Sequence, residues 1–265
     1  MEQSQDMESI DWRNPELIQS MAVDESVTRL IEECAMLGID VLPEQAQRLV
    51  EYLKLVLIKN CSLNLTAIRE WDKALILHLV DSLTFLPEFD DQPEYIRDMP
   101  FLDMGCGAGF PGIPLAIMRS LRIGELCDSV KKKITAVNEF IEELGLMNQL
   151  STTSERLEVY ARYHKHEFGC ITARAVSSLP VLLEYAAPFL PREGRLIVSK
   201  GQPTEDELQG GEKAAKVCGF RLHSSRTVTL PHDMGQRTML VYRKVQEPAY
   251  KLPRAIGMAA KEPLV

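Results

Sequence analysis

Gly105, Gly107 and Gly109, spaced as G-x-G-x-G, follow directly on the apolar run Phe101-Leu102-Asp103-Met104. A glycine turn at the end of a strand lets backbone N–H groups approach a ligand where a Cβ would clash. The spacing is not the dinucleotide fingerprint, whose last glycine would stand where this chain has Phe110, and no G-K-[ST] is present to hold a triphosphate. An acid, Asp128, closes the next apolar run at residues 123–127. A carboxylate in that place accepts hydrogen bonds from both ribose hydroxyls of an adenosine-bearing ligand. Loop and acid together point to such a ligand. A tight turn beside a helix-capping aspartate is the plainer alternative.

Other reactive residue types carry less. Cys106 lies inside the glycine loop without a base beside it in sequence, and reads as a small filler rather than a nucleophile. The six cysteines form no C-x-x-C pair, and the five histidines do not stand beside them at ligand spacing. Reduced thiols and no metal are expected. His164 and His166 lie in a polar segment that reads as a solvated loop or helix end.

The net charge of -8 is unevenly spread, because residues 1–33 hold nine acids against Arg13 and Arg29 and leave only -1 for the rest. Basic clusters remain at Lys131-Lys132-Lys133 and along Arg243, Lys244, Lys251, Arg254 and Lys261. Binding of nucleic acid follows the local field, so the global charge does not exclude it. No apolar run approaches the ~20 residues that a bilayer crossing needs. The N-terminus is polar and acidic, unlike a secretion signal, so a cytoplasmic protein without a membrane partner is expected.

The 265 residues allow one large α/β domain or two small ones. Residues 1–23 lack periodicity and read as a disordered acidic extension. A helix is predicted from Asp24 as N-cap to Gly38 as stop, a second after Pro43 and a third from about residue 72 to 86. These make a helical N-terminal layer over residues 24–95. Strands are predicted at 101–104, 123–127, 170–176 and 195–199, with helices over 133–145, 181–190 and 205–217 between and after them. Two late strands, near 220–230 and 238–243, have no crossover helix and so form an antiparallel hairpin at one edge. Alternation of strand and helix implies a doubly wound, seven-stranded, mostly parallel sheet over residues 96–245. A basic C-terminal tail occupies residues 246–265.

The stretch Phe101-Leu102-Asp103-Met104-Gly105-Cys106-Gly107-Ala108-Gly109-Phe110-Pro111-Gly112-Ile113-Pro114-Leu115 resembles the signature of the bacterial 16S rRNA (guanine-N-7)-methyltransferase family, also called glucose-inhibited division protein B. Asn64-Leu65-Thr66, His78-Leu79-Val80-Asp81-Ser82-Leu83, Asp128-Ser129, Thr172-Ala173-Arg174-Ala175-Val176 and Ser199-Lys200-Gly201 resemble the same family, as do Pro253-Arg254, Gly257, Lys261 and Pro263-Leu264. The resemblance implies a Rossmann-like class I methyltransferase that uses S-adenosyl-L-methionine and methylates guanine N-7 in 16S rRNA, naked or within a small-subunit precursor, as a monomer. A class I methyltransferase for a small molecule or a protein is the alternative.

By the same resemblance, cofactor contacts fall on Asp103, Gly105, Gly107, Gly109, Phe110, Asp128, Ser129, Leu157, Glu158 and Arg174. Glu158 would serve the adenine end, although by itself it reads as a solvated helix acid. Arg174 and Lys200 end predicted strands and are expected to position reactants. Each would meet the methionine carboxylate, an RNA phosphate, or a structural carboxylate. RNA contacts fall on Lys131, Lys132, Lys133, Lys251, Arg254 and Lys261. The sequence departs from the family at Cys106, Lys59, Leu77 and Met258-Ala259. Guanine N-7 carries no proton, so no general base is expected, and His78 and Asp81 are expected to orient the helical layer or cap a helix.

Overall fold

The computed structural model describes residues 11–265. Its helices α1 (Pro15–Ser20), α2 (Val23–Met36), α3 (Pro43–Leu63), α4 (Trp71–Ala74), α5 (Asp81–Leu83), α6 (Leu86–Asp90) and α7 (Glu94–Arg97) precede the first strand. Then β1 (Phe101–Met104), α8 (Gly112–Met118), β2 (Gly124–Cys127), α9 (Lys131–Glu143), β3 (Leu150–Thr153), α10 (Leu157–Tyr160), β4 (Cys170–Arg174), α11 (Leu179–Ala186) and β5 (Arg195–Lys200) alternate. Helix α12 (Glu205–Cys218), the strands β6 (Phe220–Thr229) and β7 (Gln236–Lys244), and α13 (Met258–Lys261) complete the chain.

The seven strands lie in the order β3-β2-β1-β4-β5-β7-β6. The first five are mutually parallel, and β7 inserts antiparallel between β5 and β6. The expected edge hairpin is therefore present. Successive side chains of a strand face opposite ways. Phe101, Cys170 and Ile197 join one core with α3, α8 and α9, while Leu102, Met104, Ile171, Leu196 and Val198 join the other with α11 and α12. The N-terminal helices share the first of these cores with the sheet.

Three expectations are corrected. Residues 1–10 lie outside the described residues, but the supposed disordered extension contains α1, whose Ile18 is fully buried. Asn14 caps this helix by accepting from the Glu16 N–H at 3.0 Å. The cap of α2 is Ala22, not Asp24, which sits in the first turn where its charge meets the helix dipole. Strand β3 escaped sequence reading because it is a four-residue edge strand with only Leu150 buried, and so shows no apolar run.

A local irregularity positions one side chain of the site. Between α4 and α5 the helix widens to a π-helix over Leu75–Val80, which carries His78. Such turns are uncommon and recur at functional sites.

Candidate cofactor and substrate site

The loops after β1, β2, β3 and β4 surround a cavity of about 470 Å³ at the carboxyl end of the sheet. Ligands of open α/β sheets bind in this crevice. Gly105, Gly107, Phe110, Asp128, Ser129, Leu157, Glu158 and Arg174 line it.

Gly107 has φ +60°, and a Cβ there would meet no atom within 4 Å, so the loop turns bare backbone toward open space. Its N–H donates to Asp128 Oδ2 at 3.1 Å, while Asp128 Oδ1 accepts from the Val130 N–H at 2.9 Å. Each carboxylate oxygen keeps a further lone pair for a ribose hydroxyl. These residues fit an adenosine-bearing cofactor: open backbone at the loop, an acceptor at the end of β2, and a volume typical of small-molecule sites.

Two of the expected contacts do not reach the cavity. Asp103 is fully buried beneath the loop, accepting from the Gly112 N–H at 2.8 Å and the Thr172 hydroxyl at 3.1 Å. Burial raises its pKa to about 7, against the pull of those two donors. It ties β1 to β4 and to the start of α8. Gly109 faces the helical layer, where a Cβ would stand 2.7 Å from Ile113 Cδ1 and 2.8 Å from Tyr52 Oη. Tyr52, fully buried on α3, donates to the Ala108 carbonyl at 2.7 Å, and its ring centroid lies 4.9 Å from that of Phe110.

Cys106 is buried, and desolvation pushes its thiol pKa well above the ordinary value, which keeps it protonated as a filler.

His78 closes the cavity from the helical layer. It is only 6% exposed, stacks on Phe110 with centroids 4.6 Å apart, and sets Nε2 3.0 Å from Thr66 Oγ1. Burial, followed by the charge of Arg174, depresses its pKa to about 3, so the ring is neutral at physiological pH. Thr66 is fixed in turn by Asn60, whose side chain bonds both its N–H and its carbonyl.

Arg174 stands where this cavity meets a second one of about 360 Å³, and His78, Arg174 and Ala175 line both. The second cavity also presents Asp81, Ser199, Lys200 and Arg237. Buried Asp81 accepts from Arg174 Nη1 at 3.1 Å and from Arg237 Nε at 3.0 Å, so it joins the layer to β4 and β7. Ala175 has φ +55°, a conformation costing a non-glycine residue about 1–3 kcal/mol, which the surroundings must hold. Lys200 does not line the first cavity; it bonds the Ser177 carbonyl and lies 2.8 Å from Glu207.

The expected RNA contacts divide. Lys131 and Lys132 are exposed at the start of α9, and Lys133 reaches the cavity 3.9 Å from Asp128. Lys251 and Lys261 are exposed. Arg254 is not available in the same way: it makes a two-pronged pair with Glu184, at 2.7 and 2.6 Å. Sequence reading assigned no role to Thr66, Tyr185 or Arg237. The Asn64-Leu65-Thr66 stretch was a signal for the first; nothing in sequence marked the other two.

A family model described as rRNA small subunit methyltransferase G matches residues 45–237. Proteins of that name match over most of the chain. The one from Lactobacillus acidophilus is 34% identical over 83% of this chain and 92% of its own length. That of Deinococcus radiodurans is 38% identical over 86% of this chain and 88% of its own length. Among solved structures, geranyl diphosphate methyltransferase in complex with SAM has a TM-score of 0.51 at 12% identity, covering 65% of this chain and 90% of that one. The [4+2]-cyclase SpnF has a TM-score of 0.51 at 14% identity, covering 66% and 83%. At such identities the likeness shows the fold alone.

Proposed function

This chain belongs to the rRNA small subunit methyltransferase G family, and from that premise we propose that it transfers a methyl group from S-adenosyl-L-methionine to guanine N-7 of 16S rRNA. The single observation that carries the reading is the pair of cavities meeting at His78, Arg174 and Ala175. The glycine-loop cavity would hold the cofactor, Asp128 accepting from its ribose hydroxyls and Glu158 serving its adenine end. The target base enters the second.

When bound, the cofactor supplies an electrophilic methyl carbon. The chain's own residues align the reactants, a contribution worth roughly 7–11 kcal/mol when geometry is well set. Guanine offers O6 and N7 as acceptors on one edge. N7 must stay free to attack, so a cation can engage only O6 or the adjoining phosphate. Arg237 commits Nε to Asp81 and Nη1 to the Gln236 carbonyl, and its remaining N–H groups serve that purpose together with Lys200. Arg174, at the junction, would hold the anionic end of the cofactor. Neutral His78 seals the space against Phe110. N7 carries no proton, so no base is needed. The exposed Lys131, Lys132, Lys251 and Lys261 hold phosphates. On this reading the chain acts as a monomer in the cytoplasm, where ribosomal subunits are assembled.

Transfer of tritium from labelled cofactor to rRNA lacking the modification, with the labelled base mapped, tests the reading. Label at guanine N-7 is expected. Label elsewhere in the rRNA, or only in protein or small molecules, would overturn it.

A further inference from the structure

The C-terminal segment does not hang free. Leu252 belongs to the second core, Ala259 is 1% exposed, and Leu264 packs against the same core. Arg254 Nε and Nη2 grip the two oxygens of Glu184 on α11, and Nη2 also donates to the Glu262 carbonyl at 2.7 Å. Glu184 is only 3% exposed. A guanidinium fork on a buried carboxylate is both strong and directional. It seats the turn that follows.

That turn reaches the cofactor cavity from behind. Gly257, at φ +78°, donates its N–H to Glu158 Oε1 at 2.7 Å. Leu157, Glu158 and Tyr185 line the cofactor cavity on one side. On the other side the same three residues line a narrow cleft shared with Pro253 and Arg254. The wall at the adenine end is therefore one residue thick, with the C-terminal segment as its backing.

We propose that residues 252–264 are the outer brace of the adenosine pocket, and that Arg254 is a positioning residue that sets cofactor affinity by holding Gly257 on Glu158. The inference rests on the assignment of that cavity to S-adenosylmethionine. It replaces the expectation that Arg254 grips RNA. Binding in the cavity and docking of the segment stabilise each other, because a coupling between two sites is reciprocal.

Calorimetry with S-adenosylhomocysteine on the full chain tests the proposal. Arg254→Gln alone would strand the Glu184 charge in the core and risk the fold. The paired variant Arg254→Gln with Glu184→Gln leaves no lone charge. Its affinity for S-adenosylhomocysteine is expected to fall by at least about fivefold, the lower end of ordinary coupling between sites. Arg254→Lys, which keeps the charge but loses the fork, should fall between this variant and the unaltered chain. In the unaltered chain, amide exchange over residues 252–264 should slow when S-adenosylhomocysteine is added. Unchanged affinity in the folded paired variant, even with lowered thermal stability, overturns the proposal and leaves the cofactor assignment standing. So does tail exchange indifferent to ligand. Absence of binding by the unaltered chain sinks the cofactor assignment and the proposal with it.

Discussion

Tyr52 and Ala108 stand 56 residues apart in the chain, yet the tyrosine hydroxyl donates to the alanine carbonyl at 2.7 Å in a fully buried contact. This bond makes the N-terminal helical layer part of the glycine loop. Removing the hydroxyl leaves the carbonyl without its partner, a loss of about 1–3 kcal/mol for a buried group. Tyr52→Phe should therefore lower thermal stability and weaken S-adenosylhomocysteine binding together. Calorimetry and thermal unfolding on the same sample will show it, and full affinity in the variant would mean that α3 does not shape the loop.

Gly107→Val should abolish cofactor binding while far-UV circular dichroism stays unchanged. The new side chain would enter open space above the loop, where nothing lies within 4 Å, and φ +60° disfavours a β-branched residue. Retained binding would place the ligand elsewhere.

The His78 pKa of about 3 bears on both stability and rate. The folded value lies below the unfolded value of about 6.5, so the unfolded chain binds more protons between the two. Stability from this group is full above pH 6.5 and is lost as pH falls toward 3. His78→Gln should flatten that acid loss, measured by denaturant unfolding at a series of pH values. Single-turnover methylation by the unaltered chain should show no titrating base down to mildly acidic pH. Asp81→Asn should slow the reaction by loosening Arg174 and Arg237, with the pH profile still flat. A rate loss of roughly 10²–10⁴-fold in either variant, with folding and binding intact, would refute the base-free chemistry.

Lys131, Lys132, Lys251 and Lys261 are exposed, whereas Arg254 is paired with buried Glu184. Neutralising the four lysines should weaken RNA binding and flatten its salt dependence, by about 0.7 log units for each single-strand phosphate that they no longer neutralise. Cofactor affinity should hold. Filter binding across a salt series reads the slope, and an unaltered slope would show that these lysines do not touch phosphate.

Much of this site was legible in the residues themselves. Strand periodicity, the glycine spacing and the acid at the end of the next apolar run are local patterns, and they suffice to mark β1, β2, Gly105, Gly107 and Asp128. Local patterns also mislead at their edges. Asp103 shares the signature of the loop but is buried beneath it, held by the Gly112 N–H and the Thr172 hydroxyl. Arg254 resembled an RNA contact because a sequence shows charge without showing its partner.

The sequence by itself determined the alternation of strand and helix, the glycine turn, and through them the class of ligand and the place of its crevice. Only the tertiary structure decided that Tyr52 meets the glycine loop, that His78 lines both cavities and Arg237 the second, and that Gly257 bonds Glu158. The physical reason is that secondary structure and turns follow from neighbouring side chains and backbone freedom, whereas a shared wall is built by packing between layers. Asp81 and Arg237 meet across 156 residues because the two cores and the inserted β7 bring them together, and no spacing along the chain encodes that distance.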